Sequence, residues 1–145
     1  MKLKDIFWTY PTETDSGMTI IITGRDGVDP LRECGHYNFR VTVTLRYPSL
    51  PDGMPTPEGA DDLEKITDAL LSETAKDPAA VITGIYTGDG LRDWIFYTRS
   101  LHIFRNIFNR ALEPLPPFPF EISAAEDPAW EEYLEMKKFT YIPEE

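Results

Sequence analysis

The sequence predicts an α+β domain, and three observations carry that reading. Residues Tyr37 to Arg46 alternate strictly, with Phe39, Val41, Val43 and Leu45 on one face and Arg40, Thr42, Thr44 and Arg46 on the other. Two further runs, Ala80 to Thr87 and Leu91 to Thr98, are joined through Gly88-Asp89-Gly90, the turn chemistry of a tight hairpin. Two segments with helical spacing, one before and one after that hairpin, complete the order β-α-β-β-α-β from residue 37 onward. This is the split βαβ, or ferredoxin-like, pattern: an antiparallel sheet with two helices on one face, because each crossover is right-handed.

The elements follow in order. Ile6-Phe7-Trp8-Thr9-Tyr10 and Met18 to Thr23 are β-branched and aromatic, separated by a run containing Asp15-Ser16-Gly17. They read as an added amino-terminal β-hairpin. Residues 24–36 read as a loop. After the 37–46 strand, Pro48, Pro51, Pro55 and Pro57 enforce a second loop poor in backbone donors. A helix then begins, with Thr56 as cap and Pro57 at the first helical position. Its apolar stripe is Ala60, Leu63, Ile66 and Leu70, and Asp77-Pro78 ends it. Ser100 caps the second helix, Leu101 to Leu112, whose core face is Leu101, Phe104, Phe108 and Ala111.

Beyond four prolines between 114 and 119, Phe118, Phe120 and Ile122 alternate as a last core strand, placed at an edge by those prolines. Asp127 is the cap of a short helix starting at Pro128, and Phe139 to Ile142 reads as one more strand. We read residues 1–145 as one domain: 1–36 hairpin and loop, 37–123 core, 124–145 helix and tail. Trp94 and Phe96 fall on one face of their strand, and Ile95 and Tyr97 on the other. A sheet face open to water alternates apolar with polar, so this second face needs a cover: the carboxy-terminal segment, a second subunit or a ligand.

Composition bounds the function. The chain carries 25 acidic and 14 basic residues, a formal net charge of −11. That disfavours nucleic acid and anionic membranes, whose phosphates it would repel, and suits a basic protein partner. Cys34 is the single cysteine, so an internal disulfide is excluded. The start, Met1-Lys2-Leu3-Lys4-Asp5-Ile6, lacks the apolar core of a signal peptide, and cytoplasmic localisation is the expectation.

Chemical motifs are weak. Cys34-Gly35-His36 with His102 falls short of the three or four ligands a metal requires, so neither metal nor other cofactor is expected. Gly88-Asp89-Gly90 lacks the following helix and Lys-Ser/Thr of a phosphate loop. The serines sit in no nucleophile-elbow pattern, and carboxylates are too abundant for any pair to signify acid–base catalysis. The reading leans away from an enzyme. On the predicted open face, Arg40 and Arg46 beside Trp94 could hold an anionic or planar ligand. The aromatic signature of RNA-recognition sheets is absent. Trp130 and Tyr133, three apart, dock a helix onto the sheet, while Glu131, Glu132 and Glu135 point elsewhere.

The run Trp8-Thr9-Tyr10-Pro11, then Tyr47-Pro48, Gly53-Met54-Pro55, Leu63-Glu64-Lys65-Ile66, Gly84 to Gly90 into Trp94-Ile95-Phe96-Tyr97, and Glu126-Asp127-Pro128-Ala129-Trp130-Glu131-Glu132-Tyr133, resembles the bacterial domain-of-unknown-function family 695. The order and spacing carry that resemblance over most of the chain. It implies no established activity and supplies no catalytic residues. The closing acidic-Asp-Pro-x-Trp-x-x-Tyr run is also similar to that of the regulator B of ribonuclease E activity family. That similarity implies a ferredoxin-like layout and action by binding an enzyme.

The functional expectation is a non-catalytic protein-interaction or regulatory module. Its acids Asp61, Asp62, Glu64 and Asp68, with Glu131, Glu132 and Glu135, would face a basic partner. A homodimer is compatible with the sequence. The alternative is a small-ligand binder or enzyme using the open face around Arg40, Arg46 and Trp94.

Overall fold

A computed structural model describes residues 6–141. Its elements are β1 (Phe7–Glu13), β2 (Thr19–Arg25), α1 (Asp29–Glu33), β3 (Phe39–Arg46), α2 (Pro57–Lys76), β4 (Ala80–Gly88), β5 (Leu91–Thr98), α3 (Leu101–Leu112), β6 (Glu121–Glu126) and α4 (Glu131–Thr140). The strands form one antiparallel sheet in the order β1-β2-β4-β5-β3-β6.

The local signals act as their chemistry requires. The Thr56 hydroxyl accepts from the Gly59 amide at 3.2 Å and Ser100 from Ile103 at 3.3 Å, each satisfying an amide that has no partner within its helix. At the β4–β5 turn, Asp89 (φ 52°) and Gly90 (φ 83°) both take left-handed backbone, as a two-residue hairpin demands.

Side-chain alternation along β5 builds two cores. Trp94 and Phe96 face α2 and α3, among Leu63, Ile66, Leu70, Phe104 and Ile107. Ile95 and Tyr97 face the other way, among Val28, Tyr37, Trp130, Tyr133 and Met136. The second face is therefore covered by the carboxy-terminal segment, helped by the short α1 within the expected loop at 24–36. Trp130 and Tyr133 are fully buried there, with Trp130 Nε1 donating to the Tyr37 carbonyl at 2.8 Å and Tyr133 Oη to the Arg25 carbonyl at 2.7 Å.

Three sequence expectations are corrected. Of the expected trio Phe118, Phe120 and Ile122, only Ile122 lies in the last strand. Its ladder to β3 begins at Glu121, beyond Pro119, because prolines bring no amide to a ladder. Phe118 and Phe120 instead pack on the first core from irregular chain, Phe120 edge-on to Phe108 at 5.3 Å, while Ile122 is 52% exposed. The final helix begins at Glu131, not Pro128, because Trp130 sits at φ 56°, outside helical backbone. The expected strand at Phe139 to Ile142 is absent over the described residues: Phe139 and Thr140 complete α4, and Ile142 lies outside them. The Thr140 hydroxyl donates to the Met136 carbonyl and accepts from Trp8 Nε1, both at 2.8 Å, tying the helix end to β1.

Candidate functional site

Cross-strand neighbours place Arg40 beside Tyr97, Thr42 beside Ile95, and Thr44 beside Asp93, with Asp93 in turn beside Tyr86. Paired residues share a sheet face. Where α4 stops short of β3, these residues line an open cleft of about 460 Å³, with Arg40, Thr42, Asp93 and Ile95 along the sheet and Glu131, Glu132 and Glu135 along the helix.

Two carboxylates near Arg40 have opposite electrostatics. Asp127 is 5% exposed. It accepts from Tyr97 Oη at 2.6 Å, from Arg40 Nη1 at 3.0 Å, and from the amides of Glu131 and Glu132 at 2.9 and 3.3 Å. Burial pushes its pKa up, but the Tyr97 hydroxyl, the two amides and Arg40 together hold it below the usual carboxylate range. Asp127 thus caps α4, as its sequence position suggests, and also fastens that helix to β3 and β5.

Glu132 lies on the other side of the balance. Burial raises its pKa, with Asp127 and Glu135 adding to the rise, against the Tyr86 hydroxyl and Arg40. Tyr86 Oη donates to Glu132 Oε1 at 2.9 Å, while Oε2 is buried with no hydrogen-bond partner. The tyrosines pay the complementary cost: burial, and then the nearby Glu132 or Asp127, raises both Tyr86 and Tyr97 well above the ordinary phenol. Both remain neutral donors.

The structure separates the residues that the sequence grouped. Arg40 is at the cleft, but its guanidinium is engaged by Asp127. Arg46 is exposed at the far end of β3, 3.5 Å from Glu121. Trp94 does not join them: it points to the first core, is 0% exposed, and donates Nε1 to Thr67 Oγ1 at 2.9 Å. Residues two apart on a strand share a face, and the partner of Trp94 on β3 is Val43, not an arginine. The aromatic that does neighbour Arg40 is Tyr97.

Asp61, Asp62, Glu64 and Asp68 are exposed on α2 and make no ion pair with a described residue. Glu131 and Glu135 are exposed on α4, and Glu132 is half-buried. Because α2 and α4 cover opposite faces of the sheet, the two acidic groups do not form one patch. Sequence reasoning read Asp127 only as a cap and Tyr97 only as a strand aromatic needing cover, and passed over Tyr86. Their signal was the Asp-Pro cap together with bulky residues on a sheet face that needed a cover.

Among the described residues, no three His, Cys, Asp or Glu side chains gather as a group that could hold a metal ion. Cys34 and His36 are exposed, as is His102 on α3. No helix of the described residues is long and apolar enough to cross a membrane.

Fold and site together define an α+β domain with one antiparallel sheet covered on both faces and a carboxylate-lined cleft at the edge of the second cover. The chain belongs to a family of unknown function, DUF695, whose model matches residues 7–136. No curated protein and no solved structure matches it.

Proposed function

We propose that this chain is a cytoplasmic, non-catalytic protein-interaction or regulatory module, built on a ferredoxin-like core, that engages a basic protein partner. The core reading rests on strand order: β6-β3-β5-β4, with α2 and α3 on one face, follows the split βαβ path, and the β1–β2 hairpin extends it beyond β4. The functional reading rests on one observation. Asp61, Asp62 and Asp68 stand exposed on the outer side of α2 and make no ion pair with a described residue, Glu64 is exposed beside them with its charge acting on Arg92, and Leu63, Ile66 and Leu70 commit the inner side to the core. Carboxylates held so on a rigid helix steer a basic surface and speed its encounter. Since the α4 acids face away from α2, a single flat partner surface uses the α2 face.

The test is capture of partners from the native host by the full chain and by its Asp61→Lys/Asp62→Lys/Asp68→Lys variant, at low and high salt. The expected result is a basic protein held by the wild type, released by salt and lost in the variant. A partner captured equally by both, at either salt, would refute the reading.

A second reading is favoured by the buried, unpartnered Oε2 of Glu132 beside Arg40: a small-ligand site, binding or enzymatic, in the cleft. A metabolite-library thermal-shift screen tests it. It requires a stabilising compound whose effect disappears in Arg40→Ala.

A further inference from the structure

The two edges of the sheet are built differently. An edge strand offers unpaired backbone groups to any other strand, and monomeric proteins blunt it with proline, lysine or inward charge. β1 carries Pro11 within the strand, and Phe139 of α4 packs edge-on to Tyr10 beside it, 5.8 Å between ring centroids. β6, Glu121-Ile122-Ser123-Ala124-Ala125-Glu126, has no proline or lysine, carries charge only at its two ends, and is exposed along its whole length.

The flank of β6 is apolar. Ile122 and Ala124 lie opposite Val43 and Val41 of β3, so they share the face that α2 and α3 cover. Yet α3 stops short of them, leaving a groove between Leu101, Phe104 and Phe108 on one side and Ile122 and Ala124 on the other. Leu101 is 42% and Ile122 52% exposed. Arg105 and Asn109 border the groove with polar groups, as at the rim of an interface.

We infer that β6 pairs with β6 of a second copy of this chain, antiparallel about a two-fold axis through Ser123, joining two sheets into one. The register follows from the pleat. An added strand must keep each face continuous, so residues that pair across the axis must lie on the same face. Centring on Ser123 sets the two Ser123 residues opposite each other on the α4 side. Ile122 of each copy then lies opposite Ala124 of the other on the groove side, large against small. Shifting the centre to Ala124 would set Ile122 against Glu126. In the Ser123 register neither Glu121 nor Glu126 faces its counterpart, and Glu121 has Arg46 of its own chain 3.5 Å away. The two copies, each at −11, repel at long range, and salt screens that repulsion over about 8 Å at physiological strength. Added salt therefore strengthens this contact, opposite to its effect on a basic partner.

Sedimentation equilibrium of the full chain tests the inference, together with two variants. The expected result is a concentration-dependent dimer that tightens with salt and is monomeric in Ile122→Lys, an exposed site where folding is checked by circular dichroism. Separately, Cys34→Ser/Ser123→Cys should oxidise in air to a disulfide-linked dimer, since directly opposed residues have Cα atoms about 4.5–5.5 Å apart, within disulfide reach. Cys34→Ser/Ser16→Cys, in the distant β1–β2 turn, should not. A wild type that stays monomeric at all concentrations overturns the inference. So does a dimer that survives Ile122→Lys and fails to cross-link through position 123. If Ile122→Lys does not fold, the cross-linking pair decides alone.

Discussion

The indole of Trp130 lies stacked on the ring of Tyr97, centroids 4.2 Å apart and planes 18° from parallel. The same tyrosine donates its hydroxyl to Asp127, three residues before that indole. One strand residue thus holds both the ring and the cap that start α4, and Trp130 keeps its left-handed backbone because both are fixed.

Trp130→Ala removes the stack, the hydrogen bond to Tyr37 and the largest side chain of the second core. Truncating a buried Trp costs about 3–5 kcal/mol, and at this chain length each kcal/mol lowers Tm by roughly 2–4 °C. A thermal melt should fall accordingly. An unchanged Tm would mean that the indole does not hold the cover, and would make it a contact for a partner.

Trp8 of β1 lies directly opposite Gly24 of β2, and its ring covers the glycine so closely that any Cβ there would overlap it. The ring cannot easily retreat, being bonded to Thr140 and packed on Tyr141 at 5.0 Å. Gly24→Ala should cost about 1–3 kcal/mol, as overpacking does. Trp8→Leu/Gly24→Ala should cost less than the sum of its single changes, because the leucine vacates the space. Additive denaturation energies would refute the coupling.

Asp127 and Glu132 should respond to acid with opposite sign. Asp127 is depressed in the fold, so it contributes stability above its unfolded pKa of about 3.9 that is lost as pH falls through the folded value. Asp127→Asn should cost about 2–3 kcal/mol at neutral pH, and the deficit should shrink on acidification. Glu132 is raised, so its favourable contribution is complete below its unfolded pKa of about 4.3 and is lost as pH rises through the folded value. Glu132→Gln, which keeps an oxygen for Tyr86, should therefore equal or exceed wild type in stability near neutrality and lose that advantage in acid. Urea unfolding of the three proteins across pH 3–8 reads both trends, and parallel curves would refute the assignment.

Asp61→Lys/Asp62→Lys/Asp68→Lys changes only exposed side chains. Its Tm should stay near wild type, since a surface substitution is usually worth under about 0.5 kcal/mol. A large drop would mean that these acids support the helix itself, through the dipole at its amino end, rather than being held for a partner.

The sequence by itself determined the parts that local chemistry dictates. The 37–46 alternation, the Asp89-Gly90 turn, and the Thr56 and Ser100 caps act through neighbours a few residues away, so their signals are written contiguously. The bulk of Ile95 and Tyr97 even announced a cover on the second face. The tertiary structure alone decided what depends on which face and which strand meet. Trp94 was legible as a strand aromatic, but its separation from Arg40 follows from the β3–β5 register, which pairs Arg40 with Tyr97 instead. The late start of α4 depends on Trp130 being held at φ 56° by Tyr97 and Tyr37, residues far earlier in the chain. Glu132 reads in sequence as one of three equivalent surface acids. Its packing against the sheet, where Tyr86 of β4 donates to it, sets it apart, because desolvation comes from neighbours that the fold, not the chain, brings close.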